Sequence, residues 1–164
     1  MGNTPTQKYT ETVITAYHEA GHAVLALAVG LTVDKVSITA KAGRLGIMQM
    51  KGGSKKRRFR DRAEDALLVL LGGIAAEVRL TGAYCTAGAT RDLRELHTLA
   101  TIRAGSRNAA SKLAERMFAK ANYLLAEPEH WLAVEYIVED LLQKKDISGR
   151  AAKHHFERAM REMG

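Results

Sequence analysis

At 164 residues, 46% hydrophobic and 26% charged, the chain has the size and make-up of one globular domain, predicted to span residues 1–164. Its longest apolar stretches, Ala20–Val33 and Ala66–Val78, fall short of the roughly 18–20 residues a membrane span needs. Met1–Thr12 is polar and carries no signal-type apolar core, and the single cysteine, Cys85, excludes a disulfide framework or a cysteine-based zinc ribbon. The reducing cytosol is therefore the expected compartment. The aromatic share is 5% and there are two prolines, so the composition points to a mainly helical fold with an aliphatic core.

Residues 1–9, with Pro5, read as a flexible polar lead-in. Thr10 can cap a helix running to about Val29, in which Val13, Ala16, Tyr17, Ala20, Val24, Leu27 and Ala28 recur at helical spacing and Gly30 supplies the stop. This helix contains His18-Glu19-Ala20-Gly21-His22, an HExxH pattern. Residues four apart share one helix face, so the two imidazoles can converge on a metal ion as two corners of a zinc site. Glu19, one residue round from His18, can reach a water at that ion and serve as general base. The competing reading is a chance match with two core histidines. The scarcity of histidine, six in all, and the small residues between the pair favour the metal.

Lys35–Ala40 and Leu45–Met50 read as two short strands, with Lys41–Arg44 turning between them, to make a small antiparallel hairpin beside the HExxH helix. The open edge of such a sheet can hold an extended peptide by main-chain hydrogen bonds, which makes Leu45, Gly46, Ile47, Met48 and Gln49 candidate substrate-binding residues. Lys51–Arg62 (KGGSKKRRFRDR) then carries seven cations against Asp61 alone and accounts for much of the net charge of +7. With Gly52, Gly53 and Ser54, residues 51–61 read as a mobile basic loop. Nucleic acid is the weaker reading, because Phe59 is the only aromatic there on which a base could stack.

A strongly apolar helix follows over Arg62–Leu80, and its Gly72-Gly73 pair marks a close backbone approach. Thr81–Gly88 reads as a loop and Ala89 as the start of another helix, with Asp92 in its first turn, where the helix dipole would account for an acid. Gly105-Ser106 breaks the chain before a helix over Asn108–Ala126. Pro128 opens one through Leu142, and Ser148 caps a last one over Gly149–Met163.

A catalytic zinc site takes a third protein ligand beyond HExxH. By residue type the candidates are Glu77, Asp92, Glu95, His97, His130, His154 and His155. Glu77, Glu95 and His97 would otherwise do packing or surface duty, and His154 and His155 would be solvated face residues.

In order along the chain, Ala16–Val24 (AYHEAGHAV), Lys35-Val36-Ser37-Ile38, Leu45–Gln49 (LGIMQ), Gly72–Glu77 (GGIAAE) and Gly88–Leu93 (GATRDL) resemble the zinc peptidase domain of FtsH-type AAA+ proteases. HExxH alone is widely shared, whereas HEAGH, then GGxAAE, then GAxxDL is far more specific. The resemblance implies one zinc per chain, with Asp92 as third ligand alongside His18 and His22, and Glu19 as the catalytic glutamate. It also implies a homo-oligomeric, hexameric ring. Ala87 and Arg91 replace the family's usual Thr and Asn, and Val78 replaces a common second glutamate; these departures spare the ligands and bear on their surroundings.

The expected function is an ATP-independent zinc metalloendopeptidase acting on extended or unfolded polypeptides. The 164 residues hold no G-x-x-x-x-G-K-[ST] loop, so no ATPase module is expected within them, and a separate ATPase partner is the natural supplier of unfolding work. The alternative is a zinc-fold binding or regulatory module that has lost the reaction and works with a partner through the basic loop. The retained Glu19 argues against it, because zinc binding alone has no use for that residue.

Overall fold

The structure is a computed structural model, and it describes residues 8–39, 47–51, 62–84 and 86–164. The expected flexible start up to residue 7, the Lys41–Arg44 turn, Leu45 and Gly46, and positions 52–61 of the basic segment lie outside those residues. The fold is mainly α: among the described residues, six helices stand beside a small antiparallel sheet.

The first helix, α1 (Glu11–Ala28), starts where the Thr10 hydroxyl accepts the Val13 amide at 3.3 Å. It ends in a Schellman closure. Gly30 takes a positive φ of 76°, its amide donates to the Leu27 carbonyl, and the Leu31 amide donates to that of Ala26. The chain then enters β1 (Thr32–Ser37), which pairs antiparallel with β2 (Ile47–Lys51). The first strand starts earlier than its sequence signal and stops at Ser37. Register slips between Val33 and Lys35, which breaks the side-chain alternation used to place it.

A third strand, β3 (Asp146–Ser148), pairs with the other side of β1, giving the order β2-β1-β3. The pattern of the sequence does not announce it, since three residues carry no periodicity. Its position leaves β1 in the middle and β2 as an edge among the described residues.

Helix α2 (Arg62–Thr81) runs one residue past expectation. Helix α3 (Thr86–Ala104) begins three residues before the expected Ala89, because Thr86–Gly88 joins the helix despite its turn-like composition. Asp92 therefore sits beyond the first turn, and the helix dipole no longer accounts for it. Gly105, at φ 82°, separates α3 from α4 (Arg107–Ala126), which Ser106 caps through the Ala109 amide. Pro128 opens α5 (Pro128–Lys144), and Ser148 caps α6 (Gly149–Met163) through the Ala151 amide.

Helix α1 is the hub, packed on α2, α5 and the sheet. It contributes Ala16, Ala20, Ala23, Val24 and Leu25 to a core shared with Leu67, Leu68, Ala75 and Ala76 of α2 and with Val134, Ile137 and Leu141 of α5. The sole tryptophan, Trp131 of α5, stacks on Tyr17 at 5.6 Å between ring centres, and the Arg79 guanidinium lies 5.0 Å from its ring centre. The tightest contact is the crossing of α1 and α2. A Cβ on Gly21 would run into the Gly72 carbonyl and lie 2.7 Å from the Ala76 Cβ, while one on Gly72 would lie 2.7 Å from the Gly21 carbonyl oxygen.

Helix propensity alone would have Gly21→Ala stabilise the protein by about 1 kcal/mol. The crossing predicts the opposite sign, a net loss of about 1–3 kcal/mol from overpacking. Urea unfolding of the two proteins decides it, and a more stable alanine variant would show that the helices do not touch so closely.

Candidate metal centre

The two histidines of HExxH lie one turn apart on the inner face of α1, and His18, Glu19 and His22 are all buried. Their ring centres are 4.6 Å apart, edge to face. Asp92 reaches them from α3: its Oδ2 stands 2.7 Å from His18 Nε2 and 3.0 Å from His22 Nε2.

The opposite nitrogens of both rings are fixed by α2. His18 Nδ1 is 2.6 Å from Glu77 Oε1, and His22 Nδ1 is 2.7 Å from the Val69 carbonyl oxygen. A main-chain carbonyl can only accept, and an ionised carboxylate likewise, so each Nδ1 carries the proton and donates it. The Nε2 atoms of neutral rings are then left as lone-pair donors facing a carboxylate oxygen. Three such atoms, all within 4.8 Å of one another, are a repulsive arrangement unless a cation or extra protons stand among them.

Electrostatics express the same demand. Burial works to lower the His18 pKa, but hydrogen bonds to Asp92 and Glu77 and the nearby carboxylates overcome it and push it up to about 10. His22 follows the same course: burial opposes, and the Asp92 hydrogen bond together with the charges of Glu19 and Asp92 raises it. Burial also opposes ionisation of Asp92, yet the two imidazoles hold its carboxyl well below the usual range. Glu19 is displaced upward, chiefly by burial, against the pull of His22 and His18. A carboxylate raised in this way is a stronger proton acceptor than one in water, as a general base requires.

The set N, N, O suits zinc, which binds imidazole at about 2.0–2.1 Å and carboxylate at similar distance, with a fourth position left for a reacting group. His18, His22 and Asp92 could hold the ion. The other candidate ligands stand elsewhere. Glu95 and His97 are exposed on α3, with Glu95 3.7 Å from Arg91. His130 donates from Nδ1 to the Leu124 carbonyl at 2.7 Å. His154 is exposed as expected, whereas His155 is half-buried and lies 2.8 Å from Asp140 instead of facing solvent freely. Ile47, Met48 and Gln49 fall in β2.

By sequence Glu77 is a candidate third ligand or a packing or surface residue, and its contact with His18 Nδ1 goes unannounced. So does the contact of the Val69 carbonyl with His22. The signal was present as the spacing 69, 73, 77, one stripe along a helix, and it acquires meaning only once α2 is known to face the histidines.

A helix-borne HExxH whose two histidines meet a carboxylate from another helix is the arrangement by which metallopeptidases bind their metal. Residues 6–104 match the profile described as Peptidase family M41, more than half of the chain, and the protein belongs to that family. This bears out the FtsH resemblance. Over 92 residues the chain is 42% identical to the ATP-dependent zinc metalloprotease FtsH 2 of Sphaerobacter thermophilus, covering 54% of this chain and 14% of that protein. Over 153 residues it is 31% identical to the ATP-dependent zinc metalloprotease FtsH of Acidimicrobium ferrooxidans, covering 90% and 21%. A further relative, FtsH of Methylibium petroleiphilum, is 46% identical over 85 residues, 49% of this chain and 14% of the other. The matched part of the chain thus spans between 14% and 21% of the length of these relatives. No helix among its described residues is long and apolar enough to cross a membrane.

Glu77→Ala strands a buried donor at His18 Nδ1, and the metal-stripped protein should lose about 1–3 kcal/mol of stability. Glu77→Gln keeps an acceptor in place and should lose less. Chemical denaturation in chelator tests this, and equal losses in the two variants would mean that the hydrogen bond is not what Glu77 contributes.

Proposed function

We infer that the chain is a zinc-dependent metalloendopeptidase domain that hydrolyses peptide bonds in extended or unfolded polypeptides. The observation that carries this reading is the convergence of His18, His22 and Asp92 on one point with Glu19 buried in the same cluster. When bound, zinc supplies Lewis acidity toward water and toward a peptide carbonyl.

The chain's own residues do the rest. His18, His22 and Asp92 hold the ion, one per chain, and Glu77 and the Val69 carbonyl keep both rings in the tautomer that presents Nε2. The Glu19 carboxylate takes the proton of the attacking water and returns it to the leaving amide nitrogen. The edge of β2 away from β1 is unpaired among the described residues, and β2 packs near α1, so a substrate strand added there would be held beside the catalytic helix.

These residues include no phosphate-binding loop, so what they cut unaided is polypeptide that is already flexible. A homo-oligomer, hexameric by family resemblance, and a separate ATPase that delivers substrate belong to the same proposal.

Glu19→Gln should keep zinc and lose about 100- to 10,000-fold in cleavage of an unfolded substrate such as casein. Asp92→Ala should lose zinc, while Glu95→Ala, altered on the exposed face of the same helix, should keep it. Metal content by atomic absorption and peptide release checks both, and full activity in zinc-loaded Glu19→Gln would overturn the mechanism.

A further inference from the structure

Two glycines stand side by side in α2, and they face different things. The nearest atoms to a Cβ on Gly72 would be the Gly21 carbonyl and the end of Leu25. The nearest to a Cβ on Gly73 would be His18 Nε2 at 2.5 Å, His22 Nε2 at 2.6 Å and His18 Cδ2 at 2.7 Å. Gly73 therefore underlies the two nitrogens that meet Asp92, and the three atoms nearest to its Cβ position all belong to imidazole rings.

A side-chain clash is often relieved cheaply by letting the side chain swing away. These rings are not free to do so. Each is buried, and each is tied through Nδ1 to α2 itself, His18 to Glu77 and His22 to the Val69 carbonyl. Val69, Gly73 and Glu77 are spaced i, i+4, i+8, so the residue between the two anchors is the one that lies under both rings. A helical Cβ leans toward the N-terminus, so a side chain at position 73 would also overhang the Val69 carbonyl that holds His22.

We propose that Gly73 is a positioning residue of the metal centre: its missing side chain lets the Nε2 atoms of His18 and His22 close on Asp92, while Gly72 acts through the helix crossing. This rests on the zinc reading above and deepens it. Neither glycine has a side chain that could take part in the reaction, and the two separate by what each substitution damages.

The test compares Gly73→Ala with Gly72→Ala by zinc affinity, from competition with a chelator, and by thermal unfolding of the metal-stripped protein. Gly73→Ala should bind zinc about 100-fold more weakly, the scale on which supporting groups of a metal site act. Gly72→Ala should lower the Tm of the metal-stripped protein and weaken zinc binding by a much smaller factor than Gly73→Ala, and equal weakening by the two would overturn the distinction. Wild-type zinc affinity in Gly73→Ala would overturn the proposal.

If Gly73→Ala does not fold, the same change made in a His18→Ala/His22→Ala background replaces it. There the ring edges are gone, and alanine, the better helix former, should raise the Tm over that background. A fall in Tm there would place the clash in the backbone and overturn the assignment. Failure of the unaltered protein to bind zinc would sink the metal reading itself, and the Tm comparison in the two backgrounds would still decide whether Gly73 sets the rings.

Discussion

The close crossing of α1 and α2 at Gly21 and Gly72 is the constraint on which the site depends. Helices faced with larger side chains pack about 8–10 Å apart. Here glycine meets glycine backbone, with Ala20, Ala23, Ala75 and Ala76 fully buried around them. That approach brings α2 close enough for Glu77 and the Val69 carbonyl to hold rings that belong to α1. Because His18 meets Glu77 and His22 meets Val69, the helices run antiparallel, and one turn of α1 is matched by two turns of α2. The catalytic motif is thus half of a two-helix device.

Orientation matters here because an imidazole has two chemically different nitrogens. A solvent-exposed histidine interconverts its tautomers freely, and the part of its population protonated at Nε2 would present the wrong nitrogen to an ion. Acceptors placed at Nδ1 remove that choice before any ligand arrives. The third carboxylate comes from a different helix, α3, which packs on α2 and α4. Asp92 has a short side chain, so its reach is set by where α3 lies, and the site tolerates little movement of that helix.

The parts legible in the sequence were those governed by local chemistry. Thr10, Gly30, Ser106, Pro128 and Ser148 act on their own helix ends, and they mark the boundaries correctly because no distant partner is needed. The HExxH spacing is equally local. Illegible were the features that exist only through tertiary contact. Strand β3 is held by pairing with β1, and α3 begins at Thr86 against the turn-like look of Thr86–Gly88. Glu77 could be recognised as an acid on a helix, but not as the acid whose face meets His18. Asp92 was reached through the order of the GGxAAE and GAxxDL motifs; by spacing alone it stood level with six other candidates.

The electrostatics explain how such a polar corner stays inside an aliphatic core. Asp92 and the buried rings cannot be left as an anion facing two lone pairs, so the cluster must take up positive charge. Without a metal, protons on the two rings provide it, which is why His18 is held as high as about 10 and Asp92 is driven down. Two ring protons carry the same charge as one divalent cation. Exchanging them for zinc leaves the net charge of the buried cluster unchanged while replacing two hydrogen bonds with ligation. The same groups that would stabilise the metal-free fold would therefore compete with the metal as pH falls, so affinity and fold stability are tied to one set of contacts. A site built this way does not need a rigid empty cavity, only a fixed pair of Nδ1 anchors and a residue at position 73 small enough to stay out of the way.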